Sequence, residues 1–543
     1  MKFSITKSVM LFLCLSIGAS IGRAATVTVG PTGTYATPCV AFSHLADGDT
    51  VLVDANGGTP YVEGNCVITN SNLTISGVNG RPILDATGVA INKAIWIVDG
   101  HNDVIDNFEF RNSGPAGSRR SSSNAEAIRA EEGIGTAAGG DMTVQRCYIH
   151  DNGTGVLTDS ADGTNNWFST SNYFTFQYDE FSFNGSNDSQ THNIYVGDDS
   201  NDNTLLTFEY SWTHDSNGGQ LLKDREPNSN IYYNWITDTA GQANYLIDIP
   251  QGGTTYLVGS VIYRTTTPNN QTVMIYGNYA DAPNGFYSTK KDLHFVNNTV
   301  LDNSANTFPG DFVSIGCFSG STGSCPLPPS GTGMTVNAVL ENNILLGPSG
   351  FTATNQTTAF EEGNVLETNN STNVSAMDFN NATLLDFRIV STSSPAYLAG
   401  VYPPTNNSGS FDSAALAIME YAIPMAGISR PTPSGSTMDA GAYHYQTVTA
   451  PNLTVTATTP ITVAGGSGTI TVSGLPSPAA GQYNYAVFLS GNLAVIPEIP
   501  SATSSATSVT TTFKTISVHS PVVVPVSIYV DGTVLTTNIT VNK

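Results

Sequence analysis

Repetition is the feature that most constrains this chain. From residue 50 to about 350 it returns to short runs of β-branched and aromatic residues, each broken by Asn or a small polar residue and closed by Asp, Asn or Gly. Seven stretches carry the pattern: 142–153, 174–185, 206–218, 231–241, 256–265, 293–303 and 338–347. Where the register is clearest, Asp179, Ser211, Asn234 and Gly259 correspond, at steps of 32, 23 and 25 residues. Steps of that size, made of strands with no helical period between them, fit one coil of a parallel β-helix. Each coil buries a small inward row of Val, Ile, Leu and Phe, and its neighbours satisfy its backbone. Asn and Gly turn the corners because they tolerate left-handed backbone. A β-sandwich also repeats strands at short intervals and is the rival reading.

Composition narrows the partners. The 543 residues are 40% apolar and 11% charged, which excludes helical bundles and disordered chains. Nineteen basic residues against 43 acidic ones give a net charge of −24. Such a surface repels nucleic acid and anionic lipid. Residues 1–24 read as a signal peptide: Lys2 and Lys7 precede a short apolar run from Met10 to Ile17, and small residues follow. No later stretch reads as a membrane helix, so the protein is expected to be secreted (extracellular, periplasmic or at the cell surface) and monomeric. Export permits disulfides. Cys39 with Cys66 and Cys317 with Cys325 are the sensible pairs, leaving Cys147 as a small buried hydrophobe.

The domain plan follows from shifts in pattern. Residues 25–446 read as the β-helix, with a short helical cap over 38–48 and a loop insertion at about 305–335, rich in Gly, Pro and Ser. From 447 to 543 the strands become alternating, Thr/Val-rich and almost uncharged. That reads as an immunoglobulin-like β-sandwich.

The chemistry concentrates in 190–253. Stacking the apolar pairs of successive coils turns Ile194, Leu222, Ile247 and Ile275 inward. Their neighbours Tyr195, Lys223, Asp248 and Tyr276 then form an outward ladder, one rung roughly 4.8 Å above the next. Arg225 shares the side of Lys223, and Gly218-Gly219 admit a ligand or another backbone. A phenol, an amine, a guanidinium and a carboxylate suit β-elimination on a uronic-acid polysaccharide. A cation neutralises the sugar carboxylate, a base removes the C5 proton, and an acid protonates the leaving oxygen. Lys223 is the candidate base, Arg225 the neutralising cation, and Tyr195, His192 or His214 the acid or alternative base. Asp248, Tyr276 and Asn193 are candidate substrate contacts. Asp198, Asp199 and Asp202 form an oxygen-rich turn able to take Ca2+, although without EF-hand spacing. No other cofactor is implied. Asp248 with Asp224 or Glu226 offers the two carboxylates of a glycoside hydrolase. A non-catalytic glycan-binding or adhesion protein, with the ladder only stacking, is the remaining alternative.

The run His-Asn-Ile-Tyr (192–195), then Gly-Gly-x-Leu-Leu-Lys-x-Arg (218–225), then Ile-Asp-Ile-Pro-x-Gly-Gly (247–253), resembles exported bacterial right-handed parallel β-helix proteins over roughly residues 36–350. The resemblance implies an all-β, right-handed single-stranded parallel β-helix with a carbohydrate groove along one face. Its better understood branches are polysaccharide lyases, hydrolases and epimerases. A Lys and Arg pair is similar to that of alginate and chondroitin lyases, with Lys223 and Arg225 as the matching positions. Those lyases take the two residues from different coils, whereas here they are two residues apart. The Asp-Pro-His-Asp, Gly-His-Gly, Arg-Ile-Lys and Arg-x-Pro-x-x-Arg motifs of epimerases, polygalacturonases and pectate lyases are missing.

Overall fold

The structure, a computed structural model, describes residues 24–114, 125–131, 141–158, 173–186, 190–197, 204–265, 269–270, 272–277, 291–303, 312–315, 337–347, 364–382, 385–404, 412–422, 425–446, 453–461, 466–477, 484–490, 495–497, 501–504, 506–515, 518–530 and 533–542. The Asp198, Asp199 and Asp202 turn, the Cys317–Cys325 pair and residues 1–23 of the expected signal peptide lie outside these residues. So does most of the insertion at about 305–335, of which Val313–Ile315 is a strand.

Among the described residues, three long parallel sheets account for Thr26 to Thr368 and fit a parallel β-helix. Sheet A has twelve strands, from Thr26–Val29 to Asn364–Thr368. Sheet B has nine, from Ile83–Asp85 to Ile344–Leu346, and sheet C nine, from Cys66–Ile68 to Val313–Ile315. A coil passes through A, B and C in turn, as in Leu205–Glu209, Trp212–His214 and Leu222–Asp224. Every sheet contact is therefore between successive coils, and like positions stack. Phe176, Phe208, Ile231, Leu257, Phe295 and Leu340 are in register one above another, all buried in one continuous core.

The corner between sheets A and B shows why small polar residues interrupt each repeat. The backbone N–H of Asp179 donates to Ser211 Oγ, that of Ser211 to Asn234 Oδ1, and that of Asn234 to Ser260 Oγ, at 3.0–3.1 Å. The chain of bonds continues through Asn298, Asn343 and Asn370. Side chains thus satisfy buried N–H groups that no strand can reach at a bend. The sequence register needs one correction: Ser260 is the fourth member, not Gly259. Gly259 sits one residue earlier, at the left-handed corner position (φ 66°) that Tyr178, Tyr210 and Tyr233 occupy in the preceding coils. That conformation is unfavourable for a bulky residue. The three tyrosines stack at 5.2 and 5.5 Å, an attraction that offsets the strain. Cys147 is free and buried within the same ladder, its N–H bonded to Asp179 Oδ1 at 2.7 Å.

The ends are closed differently. A five-residue helix, Pro38–Phe42, buries Ala41 and Phe42 over the first coils, with Phe42 edge-on to Trp96 at 5.0 Å. The Cys39–Cys66 disulfide ties it to sheet C. After the last parallel strand, three antiparallel pairs within residues 379–438 lie against the outer face of sheet B. They form a second core with Trp212, Trp235, Val261 and Ile344, apart from the interior of the coils. Residues 454–541 make two four-stranded antiparallel sheets around a third core. Tyr529 from this unit meets Trp235 at 5.1 Å and Trp212 at 6.2 Å. No helix among the described residues is long and apolar enough to cross a membrane.

Candidate active site on the outer face of sheet C

The outward row of sheet C reads Arg129, Leu157, Tyr195, Lys223, Asp248, Ile275, each in register with the next. Tyr195, Lys223 and Asp248 therefore stand on adjacent rungs, as the apolar steps predicted. Tyr276 does not join them. Met274, rather than Ile275, partners Ile247, so Tyr276 falls in register with Ile249 and enters the core. Its hydroxyl donates to Gly253 O at 2.5 Å. The segment Val273-Met-Ile-Tyr276 is apolar throughout and offers no alternation to fix its register.

The polar groups of the row close on one another. Lys223 Nζ lies 3.4 Å from Asp248 Oδ2 and 5.5 Å from the centre of the Tyr195 ring. The Arg225 guanidinium is 6.0 Å from the same ring. Asp248 is fully buried and also accepts from Gln220 Nε2 at 3.1 Å. His192 meets Tyr195 edge-on at 5.3 Å. The Gln220 backbone N–H donates to His192 Nδ1 at 3.0 Å, which leaves the ring hydrogen on Nε2. Tyr195 and Arg225 are half-buried, while Lys223 and His192 are almost covered. Two cations thus share one phenol, and Lys223 is the one that Asp248 holds.

Other sequence candidates fall elsewhere. His214 is on sheet B, not on this face. Asn193 is fully buried, its amide donating to Thr213 Oγ1 at 3.1 Å and His214 O at 2.9 Å, so it is a corner brace. Asp224 is in register with core residue Val196, and it accepts from the Ser229 hydroxyl and the Glu226 N–H. Burial pushes its carboxyl up to about 7. It does not share the row of Asp248, so the Asp248–Asp224 pairing for hydrolysis is not formed. The Gly218-Gly219 turn accommodates backbone: a Cβ on Gly219 would meet Thr191 O of the coil before at 1.7 Å. Gly219→Ala should accordingly lower stability by about 3 kcal/mol, read as a drop in melting temperature.

A second constellation escaped sequence reasoning. On the outer face of sheet B, His214 Nδ1 is 2.8 Å from Asp215 and Nε2 3.3 Å from Glu180, with the ring stacked on Trp212 at 3.8 Å. Two coils earlier, His150 repeats the arrangement with Asp151 at 2.8 Å, Glu109 at 3.3 Å and Tyr148 stacked at 4.0 Å. Burial opposes each imidazolium, but the flanking carboxylates win and push both up to about 9. The signal was legible: aromatic-x-His-Asp occurs at 148–151 and again at 212–215.

Comparison with protein-family models, curated proteins and solved structures finds no match.

Proposed function

We propose that the protein is a secreted polysaccharide lyase that cleaves a uronic-acid glycan by β-elimination on the outer face of sheet C. The reading is carried by one observation: the Tyr195 ring has the Lys223 ammonium at 5.5 Å and the Arg225 guanidinium at 6.0 Å, on an outward row. Those cations neutralise the sugar carboxylate, which makes its C5 proton removable. Tyr195, with His192 against its edge, is placed to move protons. The C5 proton leaves, a C4–C5 double bond forms, the C4–O bond breaks, and the departing oxygen is protonated. Lys223 is held by Asp248, which orients the ammonium as a charge clamp beside the phenol. The antiparallel unit at 454–541 is read as an immunoglobulin-like appendage that spaces or binds.

Incubation with alginate, pectin and chondroitin tests the reading. Growth of ultraviolet absorbance from the new double bond is the expected result. New reducing ends without that absorbance mean hydrolysis, and neither signal on any polymer leaves a glycan-binding protein in its place.

A further inference from the structure

The cap over the first coils carries a cluster that the chemistry on sheet C does not use. Cys66 opens the first strand of sheet C, four rungs before the strand of Tyr195, and is buried in register with Trp96. Cys39 lies in the cap helix Pro38–Phe42 and is half-buried. Glu63 is pinned from both sides: the Tyr61 N–H donates to Ile83 O at 2.8 Å, and the Asn65 N–H to Ala94 O at 2.9 Å. Its carboxylate is turned onto the helix and accepts the Cys39 N–H, at 3.2 Å on Oε1 and 3.4 Å on Oε2. Only 9% of Glu63 is exposed. One of its oxygens and the sulfurs of Cys39 and Cys66 all lie within 4.8 Å of one another.

We propose that Cys39, Cys66 and Glu63 form a Zn2+ site once their disulfide is reduced, so that the metal takes over the cross-link between the cap and sheet C. The donor set supports it. Two thiolates and a carboxylate are ligands that zinc takes, and the thiolates exclude Ca2+ and Mg2+, which are held by oxygen. The spacing supports it as well. Tetrahedral zinc, with Zn–S of about 2.3 Å and Zn–O of about 2.1 Å, sets its ligand atoms roughly 3.6–3.8 Å apart, inside the span of these three atoms. The two cysteine Cα atoms are 5.1 Å apart, so the sulfurs can part by side-chain rotation with the cap left in place. The third support is Glu63 itself. A neutral disulfide gains nothing from a carboxylate at its side, and burying one is costly unless a cation offsets it. A carboxylate accepts at about four positions, so the Cys39 N–H does not exhaust it. Among the described residues no further His, Cys or carboxylate joins the group, and water completes the tetrahedron. A dithiol opens the site. Its two thiols pass two electrons and two protons to the Cys39–Cys66 bond, which breaks into two thiols while the dithiol closes into its own disulfide. Zn2+ then displaces both cysteine protons to solvent.

The test is zinc uptake by the full chain in its two redox states. Protein is reduced with a dithiol, freed of it under nitrogen, and titrated with Zn2+ against a chromophoric chelator beside the oxidised protein. Reduced wild type should take up one more equivalent of zinc than the reduced Cys39→Ser/Cys66→Ser variant, which keeps every other thiol of the chain. Both proteins lack the cross-link, so a difference between them reports ligands and not folding. Co2+ in place of Zn2+ should show extra thiolate-to-metal ultraviolet absorption in the wild type. Glu63→Gln keeps an oxygen for the Cys39 N–H and should weaken zinc binding by more than the roughly tenfold that loss of an outer-shell partner costs. Equal uptake by reduced wild type and the double-serine variant overturns the site, and so does equal uptake by the oxidised protein. Unchanged affinity in Glu63→Gln overturns the three-ligand set, because a carboxylate that only braces the helix would leave metal binding as it was.

Discussion

Tyr195→Phe is expected to reduce turnover of a uronate polymer by about 10²- to 10⁴-fold, the range for loss of a positioned proton-transfer group. Binding should change little, so the loss should appear in kcat and not in KM. Tyr195 is half-buried, and Phe keeps the ring that Lys223, Arg225 and His192 surround. Melting temperature should therefore stay within a few degrees. Lys223→Ala should abolish activity too, but with a structural cost. Its removal leaves Asp248 buried with only Gln220 among the two partners described above. Breaking a buried ion pair costs about 3–5 kcal/mol. The double variant Lys223→Ala/Asp248→Asn separates the effects: it should recover much of the stability and none of the activity. A Tyr195→Phe protein that still turned over the polymer at the wild-type rate would remove the phenol from the mechanism.

The second large effect is loss of stability at alkaline pH. His150 and His214 are raised from an ordinary value near 6.5 to about 9 by their carboxylate neighbours. A group with a raised folded value stabilises the protein fully below the unfolded value and loses that contribution as pH rises through the folded one. Each imidazolium thus supplies up to about 3 kcal/mol that disappears between pH 6.5 and 9. Buried acids act in the same direction at lower pH. Glu63 and Asp103 are pushed up to about 7 by burial, so the folded state holds protons that the unfolded state releases from about pH 4. Asp215 and Glu109 oppose this, since their values are lowered by the histidines despite burial, but their effect lies in the acid range. Melting temperature is expected to fall steadily from pH 6.5 to 9, and His214→Gln should flatten that slope while lowering stability at pH 6. A flat profile in the wild type would contradict the charge state assigned to both histidines.

The coil architecture was legible because packing imposes it on every repeat: an inward row of apolar residues, and a corner residue able to accept an N–H. Asp179, Ser211 and Asn234 are polar in an otherwise apolar run for that reason. Tyr195, Lys223 and Asp248 were found because each follows an apolar residue that its stack requires. Alternation ends at Val273–Tyr276, and the register slipped there by one. His214 was grouped with Lys223 because only six residues separate Asp215 from the strand of Lys223. That interval contains a corner, which carries the chain from sheet B to sheet C. Arg129 was hidden by the irregular length of the coils, since the chain from it to Tyr195 spans two turns of unequal size. The antiparallel pairs over sheet B leave no periodic mark, because short hairpins laid on a surface need only local complementarity.

Those late hairpins bear on how the chain matures. Synthesis proceeds from the amino terminus, so coils can stack while the two large indoles Trp212 and Trp235 still face water. Their covers, Tyr421 and Tyr529, arrive roughly two to three hundred residues later. A nascent chain halted before residue 421 would display a greasy stripe along an otherwise finished column, and truncation at that point should yield sticky, self-associating material although every coil is already wound.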